Sequence, residues 1–395
     1  MTNKNLLVIC NNFPDKENMY IGGIFIKEQI KQLKSFFDNI YVISPVPYGI
    51  EYFRKIKQED YILENIHVYF LKYLNFPLFY SYRRNNWIYL EKRAIIKHIL
   101  KKEIKFDLIH AHYTWPSGAV AIELQKKFNV PVVITEHTSV TFKNAIGTKD
   151  PIFIKSWKSC DAIIRIRMGD IKLFESVGIS LNKVHYIPNG FDNNTFMGLD
   201  GLQCKEKLNL PINNKKILLN VGNMYDKIKG HKFLIEAINE VKKRRKDILC
   251  IIIGTGKLKN NLEKQIRSMG LENEIKLVGG KTHDESPIWI NACNIFILPS
   301  LNEGNPTVLP ECLACGKPFI GTSVGGIPEI ITSEDYGLLC EPANSEYLAQ
   351  NILTALDKVW DEEKIRRYAQ SFSWQNIANE ILKVYEIAKR DFIEK

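Results

Sequence analysis

Short apolar runs alternate with stretches of helical period along the whole chain. In the first half the runs fall at Leu6–Cys10, Ile40–Ser44, Ile66–Leu71, Leu108–His110, Val132–Thr135, Ala162–Ile166 and Val184–Ile187. In the second they fall at Ile217–Val221, Leu249–Ile253, Ile275–Val278, Ile295–Leu298, Phe319–Gly321 and Leu338–Cys340. Segments such as Ile26–Phe37, Ala119–Phe128, Phe233–Lys242 and Leu258–Ser268 lie between them, with the apolar spacing of a helix that buries one face. An apolar run without polar alternation is a strand buried on both faces. Its regular succession with helices predicts parallel sheets covered on either side, an α/β chain.

The rhythm breaks once, at the polar stretch PNGFDNNTFMGLDG, residues 188–201, and then starts afresh. Two Rossmann-like, doubly wound parallel-sheet domains are expected, 1–192 and 193–374, facing each other across a cleft. The helical stretch 375–395 is expected to complete the first. At 395 residues the chain is long enough for two cores. In open parallel sheets ligands bind beyond the carboxyl ends of the strands, so chemistry is sought in the loops leaving them.

One loop stands out. After the run Ile295–Leu298, NEGNPTVLPE places Glu303 and Glu311 eight residues apart around a Gly-Asn-Pro-Thr turn. With Thr307 as N-cap, Pro310 falls in the first helical turn, where its missing donor costs little. The amides of Thr307, Val308 and Leu309 are then expected to be free at the positive end of the helix dipole, a seat for an anion. Alone, Glu311 reads as an acid that stabilises the dipole and Glu303 as a solvated loop acid. Their spacing around that seat favours binding: Glu311 accepting from a vicinal diol such as a ribose, Glu303 holding sugar hydroxyls or positive charge.

Three further stretches follow strands. In VGNMYDKIKGH, 221–231, a strand ends at Gly222 and a helix starts near Gly230, which puts Lys229 at a strand-end crevice, either as a phosphate-binding point charge or as a surface lysine. In MYIGGIFIKEQ, 19–29, Gly22 and Gly23 precede a helix and would admit a ligand close to backbone, or form a plain turn. In ITEHTS, 134–139, His137 closes a strand; a structural role is as natural for a lone histidine. His110 and His112 share a strand face without an apparent third ligand, so no metal site is assigned.

The net charge of +10 favours anionic partners without choosing among nucleic acid, membrane and phosphorylated substrate. No nucleic-acid recognition motif occurs, and KKRRK, 242–246, reads as a helix end before a strand. The eight cysteines lie mostly inside apolar runs and read as reduced core residues; Cys312 and Cys315 have no second pair to make a zinc site. GTGKLK, 254–259, lacks the third glycine of a dinucleotide fingerprint, and neither a Walker lysine nor an Asp-x-Asp pair is present. No apolar run approaches the roughly 18 residues of a membrane span, and LLVIC is too short for a signal peptide, so a cytoplasmic location is expected.

With these residues in place, EGNPTVLPE resembles the E-x7-E signature of glycosyltransferase family 4, retaining sugar-nucleotide transferases of GT-B fold. GGIFIKEQIKQL, FDLIHAHYTWPSGAVA, PVVITEHTS, KVHYIPNGFD, VGNMYDKIKGH and TSVGGIPEII are similar to the family's segments in its order. The resemblance implies that Glu303 contacts the donor sugar, Glu311 the ribose, and Lys229 the diphosphate. It implies that the amides after Gly304, through Asn305, Thr307, Val308 and Leu309, help hold sugar and phosphate. Gly22 and Gly23 would approach the diphosphate from the first domain, with His137 near the transferred sugar, and Gly222 and Asn223 would line the donor site. Asn223 stands where the family often has arginine, which leaves more of the leaving-group charge to Lys229. No metal and no cofactor beyond the nucleotide sugar are implied, and the acceptor would bind chiefly to the first domain.

The acceptor is expected to be a glycan or a lipid-linked glycan of the cell surface. Residues 51–105 hold 12 Lys or Arg against 6 Asp or Glu, and residues 76–93 interleave basic with aromatic side chains. That composition fits an ordinary solvated helix or a peripheral contact with anionic lipid at the inner face of the membrane. A GT-B sugar-nucleotide epimerase and a glycan-binding subunit without turnover are the alternatives.

Overall fold

A computed structural model describes residues 4–18, 22–49 and 58–394. Residues 19–21 of the first glycine motif and 51–57 of the basic stretch therefore lie outside the described residues. The chain divides into two units: Met1–Pro188 with Ile377–Lys395, and Asn189–Asn376.

The first unit carries the strands β1 (Asn5–Ile9), β2 (Asn39–Pro47), β3 (Tyr61–Leu63), β4 (Ile66–Tyr73), β5 (Leu108–His112), β6 (Val132–Glu136), β7 (Ala162–Arg165) and β8 (Val184–Tyr186). Their order is β3-β4-β2-β1-β5-β6-β7-β8, parallel except for β3 against β4. The second carries β9 (Lys216–Val221), β10 (Ile248–Ile253), β11 (Ile275–Leu277), β12 (Ile295–Leu298), β13 (Phe319–Thr322) and β14 (Gly337–Cys340), in the order β11-β10-β9-β12-β13-β14, all parallel. Each sheet grows outward in both directions from its first strand, which creates a topological switch point between β1 and β5 in one unit and between β9 and β12 in the other.

Every apolar run read as a strand is one. β1, β5, β6, β10 and β12 are buried along their whole length, which is why their sequences show no polar alternation. The strand missed by periodicity, β3, is three residues long, partly exposed and antiparallel at a sheet edge. The helix expected over Ile26–Phe37 runs Ile24–Leu33 and then tightens into a turn, Lys34–Phe36. The Asn65 amide ends it by donating to the carbonyls of Lys34 and Phe37 at 2.9 and 2.7 Å.

The basic aromatic stretch forms two helices, Pro77–Ser81 and Arg84–Lys101, which bury Trp87, Glu91, Ile95 and Ile99 from the second. At KKRRK the helix His231–Arg244 ends and Arg245 pairs with Asp247 at 2.8 Å and Asp357 at 2.6 Å. The last helix, Trp374–Ile393, lies in the first unit from Ile377 onward, where the Tyr385 hydroxyl is 2.7 Å from His110 Nδ1. All eight cysteines are buried, and no disulfide occurs among the described residues.

Candidate functional site

In the second unit the switch point gathers the loops after β9 and β12. Lys229 stands just before the helix that Gly230 caps, and its Nζ lies 2.8 Å from Glu303 Oε1. Ser300 donates its hydroxyl to the same oxygen at 2.6 Å. Glu303 is 8% exposed and Glu311 5%, so both are buried, against the reading of Glu303 as a solvated loop acid, while Glu311 does lie in the first turn of its helix. Their burial is supported by partners: Glu303 by Lys229 and Ser300, and Glu311 by His283, whose Nε2 is 3.2 Å from its Oε1.

The helix Val308–Ala314 starts at Thr307, with Pro310 in its first turn. Thr307 and Val308 are half-buried and reachable from solvent. Leu309 differs from expectation. Its amide is donated to the Pro306 carbonyl at 3.1 Å and Glu311's to Thr307 at 3.3 Å, so the tight turn uses one donor of the expected three. Asn305 accepts the Asn189 amide at 3.0 Å and receives the Asn189 side chain on its own carbonyl at 2.9 Å, while its Nδ2 is buried without a hydrogen-bond partner among the described residues.

Gly325 braces the loop. At φ 60° it occupies the left-handed region, and an added Cβ would overlap the Glu303 carbonyl oxygen. Gly326 donates its amide to the Gly304 carbonyl at 2.8 Å. Gly222 donates to Ile253 at 2.9 Å, while Asn223 is exposed. Gly222, Asn223, Lys229, Glu303, Gly304, Asn305, Thr307, Val308, Leu309 and Glu311 thus share one end of one sheet.

Gly22, Gly23 and His137 belong to the other unit. Gly23 starts its helix at φ 72°, where a Cβ would strike the Asn12 carbonyl in the loop after β1. The Phe25 ring of that helix lies 4.9 Å from the ring of His137, at the end of β6. His137 Nε2 is 3.0 Å from His112 Nδ1, and His110 Nε2 is 2.7 Å from the Thr135 hydroxyl. Burial holds these imidazoles neutral: His110 is pushed down to about 3, His112 and His137 well below the usual range, with the neighbouring His110 adding to both. His137 therefore offers a hydrogen bond and not a charge, and its Nδ1 is buried without a partner among the described residues. No group of three potential ligands that could hold a metal ion occurs among the described residues.

Sequence reasoning missed Ser300, His283 and the bracing role of Gly325. It also missed Glu91, a fully buried carboxylate that accepts from Tyr73 at 2.6 Å, Trp87 at 2.7 Å and Asn11 at 3.2 Å. Burial pushes this carboxyl up to about 7 despite those donors. The spacing Trp87-Glu91-Ile95-Ile99 carried the signal, an acid on the buried stripe of a helix.

Two family models match the chain: Glycosyltransferase Family 4 over residues 23–195 and Glycosyl transferases group 1 over residues 205–372. An uncharacterized glycosyltransferase of Methanocaldococcus jannaschii is 28% identical over 390 residues, covering 93% of this chain and 95% of its own length. A D-inositol 3-phosphate glycosyltransferase of Corynebacterium aurimucosum is 26% identical over 310 residues, 72% of each. Among solved structures, Anabaena HepE in complex with UDP superposes with a TM-score of 0.75 at 19% identity, covering 97% of this chain and 99% of that one.

Proposed function

Because this chain belongs to the family 4 type of glycosyltransferases and has their GT-B fold, we propose that it moves a sugar from a nucleotide diphosphate to a glycan or lipid-linked acceptor, with retention and without a metal ion, in building a cell-surface glycan. The observation that carries the reading is the meeting of Lys229, Glu303 and the Glu311 helix start at one switch point. A structural neighbour holding UDP supports a nucleotide donor.

In the reaction the bond from the anomeric carbon to the diphosphate oxygen breaks and a bond to the acceptor oxygen forms. The hydroxyl proton ends on the departing diphosphate. Positive charge gathers on the sugar and negative charge on the leaving group, so fixed groups at each pole lower the barrier. Lys229 and the Val308 amide serve the diphosphate. Glu303 sits against the sugar, and a phosphate would share with it the ammonium it holds. Glu311, oriented by His283, accepts from the ribose hydroxyls. In the first unit Gly23 lets its helix start pack directly against the Asn12 carbonyl, and His137 Nδ1 is buried without a partner among the described residues.

A thermal-shift screen against UDP-, GDP- and ADP-sugars tests the donor: at least one raises the melting temperature, because a ligand of the folded state stabilises it. Glu311→Ala then shrinks that shift and raises the donor KM roughly tenfold to a hundredfold, with a smaller change in kcat, as loss of a charged hydrogen bond predicts. A screen in which no nucleotide sugar moves the transition removes the reading.

A location at the inner face of the cell membrane fits the same function. Phe76, Leu78, Tyr82 and Tyr89 are exposed beside the exposed Arg83, Arg93 and Lys97. Each basic residue near an anionic surface is worth about 1 kcal/mol. Among the described residues no helix is long and apolar enough to cross a membrane. Flotation with vesicles containing anionic lipid, and not with neutral ones, is the expected result; absence from both fractions rules the contact out.

A further inference from the structure

Three of the eight histidines, His110, His112 and His137, meet inside the first unit, on β5 and just past the end of β6. A neutral imidazole has one hydrogen to give and one lone pair to fill, and the three manage this unequally. His110 is satisfied on both sides. The Tyr385 hydroxyl is 2.7 Å from its Nδ1 and Thr135 Oγ1 2.7 Å from its Nε2. His112 and His137 are satisfied on one side each. His112 Nδ1 lies 3.0 Å from His137 Nε2, while His112 Nε2 and His137 Nδ1 are buried without a partner among the described residues.

The rings of His112 and His137 are inclined by 13°, with centroids 5.2 Å apart. That separation exceeds the 3.0 Å between the nitrogens by what the two ring radii occupy, so the imidazoles meet edge to edge in nearly one plane. The shared hydrogen then lies along the lone-pair axis, the geometry of a good hydrogen bond. His110 lies against His112 at 4.2 Å, and the Phe25 and Tyr113 rings lie 4.9 and 5.1 Å from His137, which holds both edges in place.

Both rings are neutral because burial opposes the charged form. The pair therefore has one hydrogen in the bond between the rings and one on an outer nitrogen. If both rings are Nδ1–H, the outer hydrogen is on His137; if both are Nε2–H, it is on His112. Burial decides between these. His112 is 0% exposed and has nothing to accept an N–H from its Nε2, and a buried donor without an acceptor is rarer than a bare lone pair. His137 is 9% exposed and stands at the carboxyl end of its strand, where an incoming oxygen can accept.

We propose that His112 fixes His137 as its Nδ1–H tautomer, so that His137 meets a hydroxyl oxygen of a sugar substrate as an uncharged donor. His112 touches no substrate and acts as a positioning residue. The sugar as ligand rests on the glycosyltransferase reading; the tautomer does not.

The test is nitrogen NMR of the full-length chain labelled with ¹⁵N-histidine near neutral pH, with signals assigned by their loss in His112→Asn and His137→Asn. Both rings are expected as Nδ1–H. In His112→Leu the His137 ring is expected to populate Nε2–H, and kcat/KM for transfer to fall about tenfold, the scale of one hydrogen bond. His112→Asn has nearly the same shape but keeps an N–H where the ring nitrogen was, so it should retain the His137 tautomer and most of the transfer. A merely structural role would affect both variants alike. An Nε2–H or doubly protonated signal from either ring of the unaltered protein overturns the assignment, as does unchanged transfer in His112→Leu or equal transfer in the two variants. If both rings are Nδ1–H and no nucleotide sugar shifts the melting temperature, the tautomer assignment stands and the glycosyltransferase reading falls.

Discussion

Lys229→Ala is expected to lower sugar transfer roughly 10²–10³-fold, the usual effect of removing one preorganised group from a charge-developing transition state. Its stability cost is separable. Lys229 holds Glu303 at 2.8 Å, and Glu303 is 8% exposed, so the alanine leaves a buried carboxylate with Ser300 as its remaining partner shown here. Breaking a fully buried pair costs about 3–5 kcal/mol; Lys229 is itself 24% exposed, so about 2 kcal/mol is the appropriate scale. The double variant Lys229→Ala, Glu303→Gln relieves that stranded charge. It should regain most of the lost melting temperature and none of the lost transfer. If Lys229→Ala alone keeps full transfer, the lysine supports the loop and does not serve the diphosphate.

Gly325→Ala should be comparably damaging although residue 325 bears no functional side chain. The left-handed backbone at φ 60° costs a residue with a Cβ about 1–2 kcal/mol, before any collision. The collision falls on the Glu303 carbonyl, so relaxation moves the loop that aims the carboxylate at Lys229. A displacement of about 1 Å in a reacting site can cost 10²-fold, and a kcat loss of roughly that size is expected with the donor KM little changed. Crystal structures of the variant would report the shift directly. Full activity with an unmoved loop would show that the glycine is not a brace.

The strands were legible because both faces of each sheet are covered, which removes polar positions from the runs. β3 escaped because an exposed edge strand of three residues leaves no such trace. The glutamate pair was legible from spacing, since both acids and the turn between them lie within ten residues. Their partners were not. His283 reaches Glu311 from the loop after β11, and Lys229 reaches Glu303 from 74 residues upstream, distances in sequence that only the sheet order closes. The helix start after the turn was visible in Thr307 and Pro310, but the use of the Leu309 amide depends on how tightly the first turn winds, and residue type does not set that. Glu91 shows the converse: its position on the buried stripe was visible, while two of its three donors, Tyr73 and Asn11, come from other elements.

The two switch points have a consequence for how this protein can change. Lys229, Glu303 and Glu311 are all encoded in the second unit, and the buried histidines His110, His112 and His137 in the first. A recombination or designed chimera that exchanges residues 189–376 and keeps 1–188 together with 377–395 can thus inherit one unit whole and leave the other untouched. Diversification would then proceed by exchanging whole units, without rebuilding either one residue by residue.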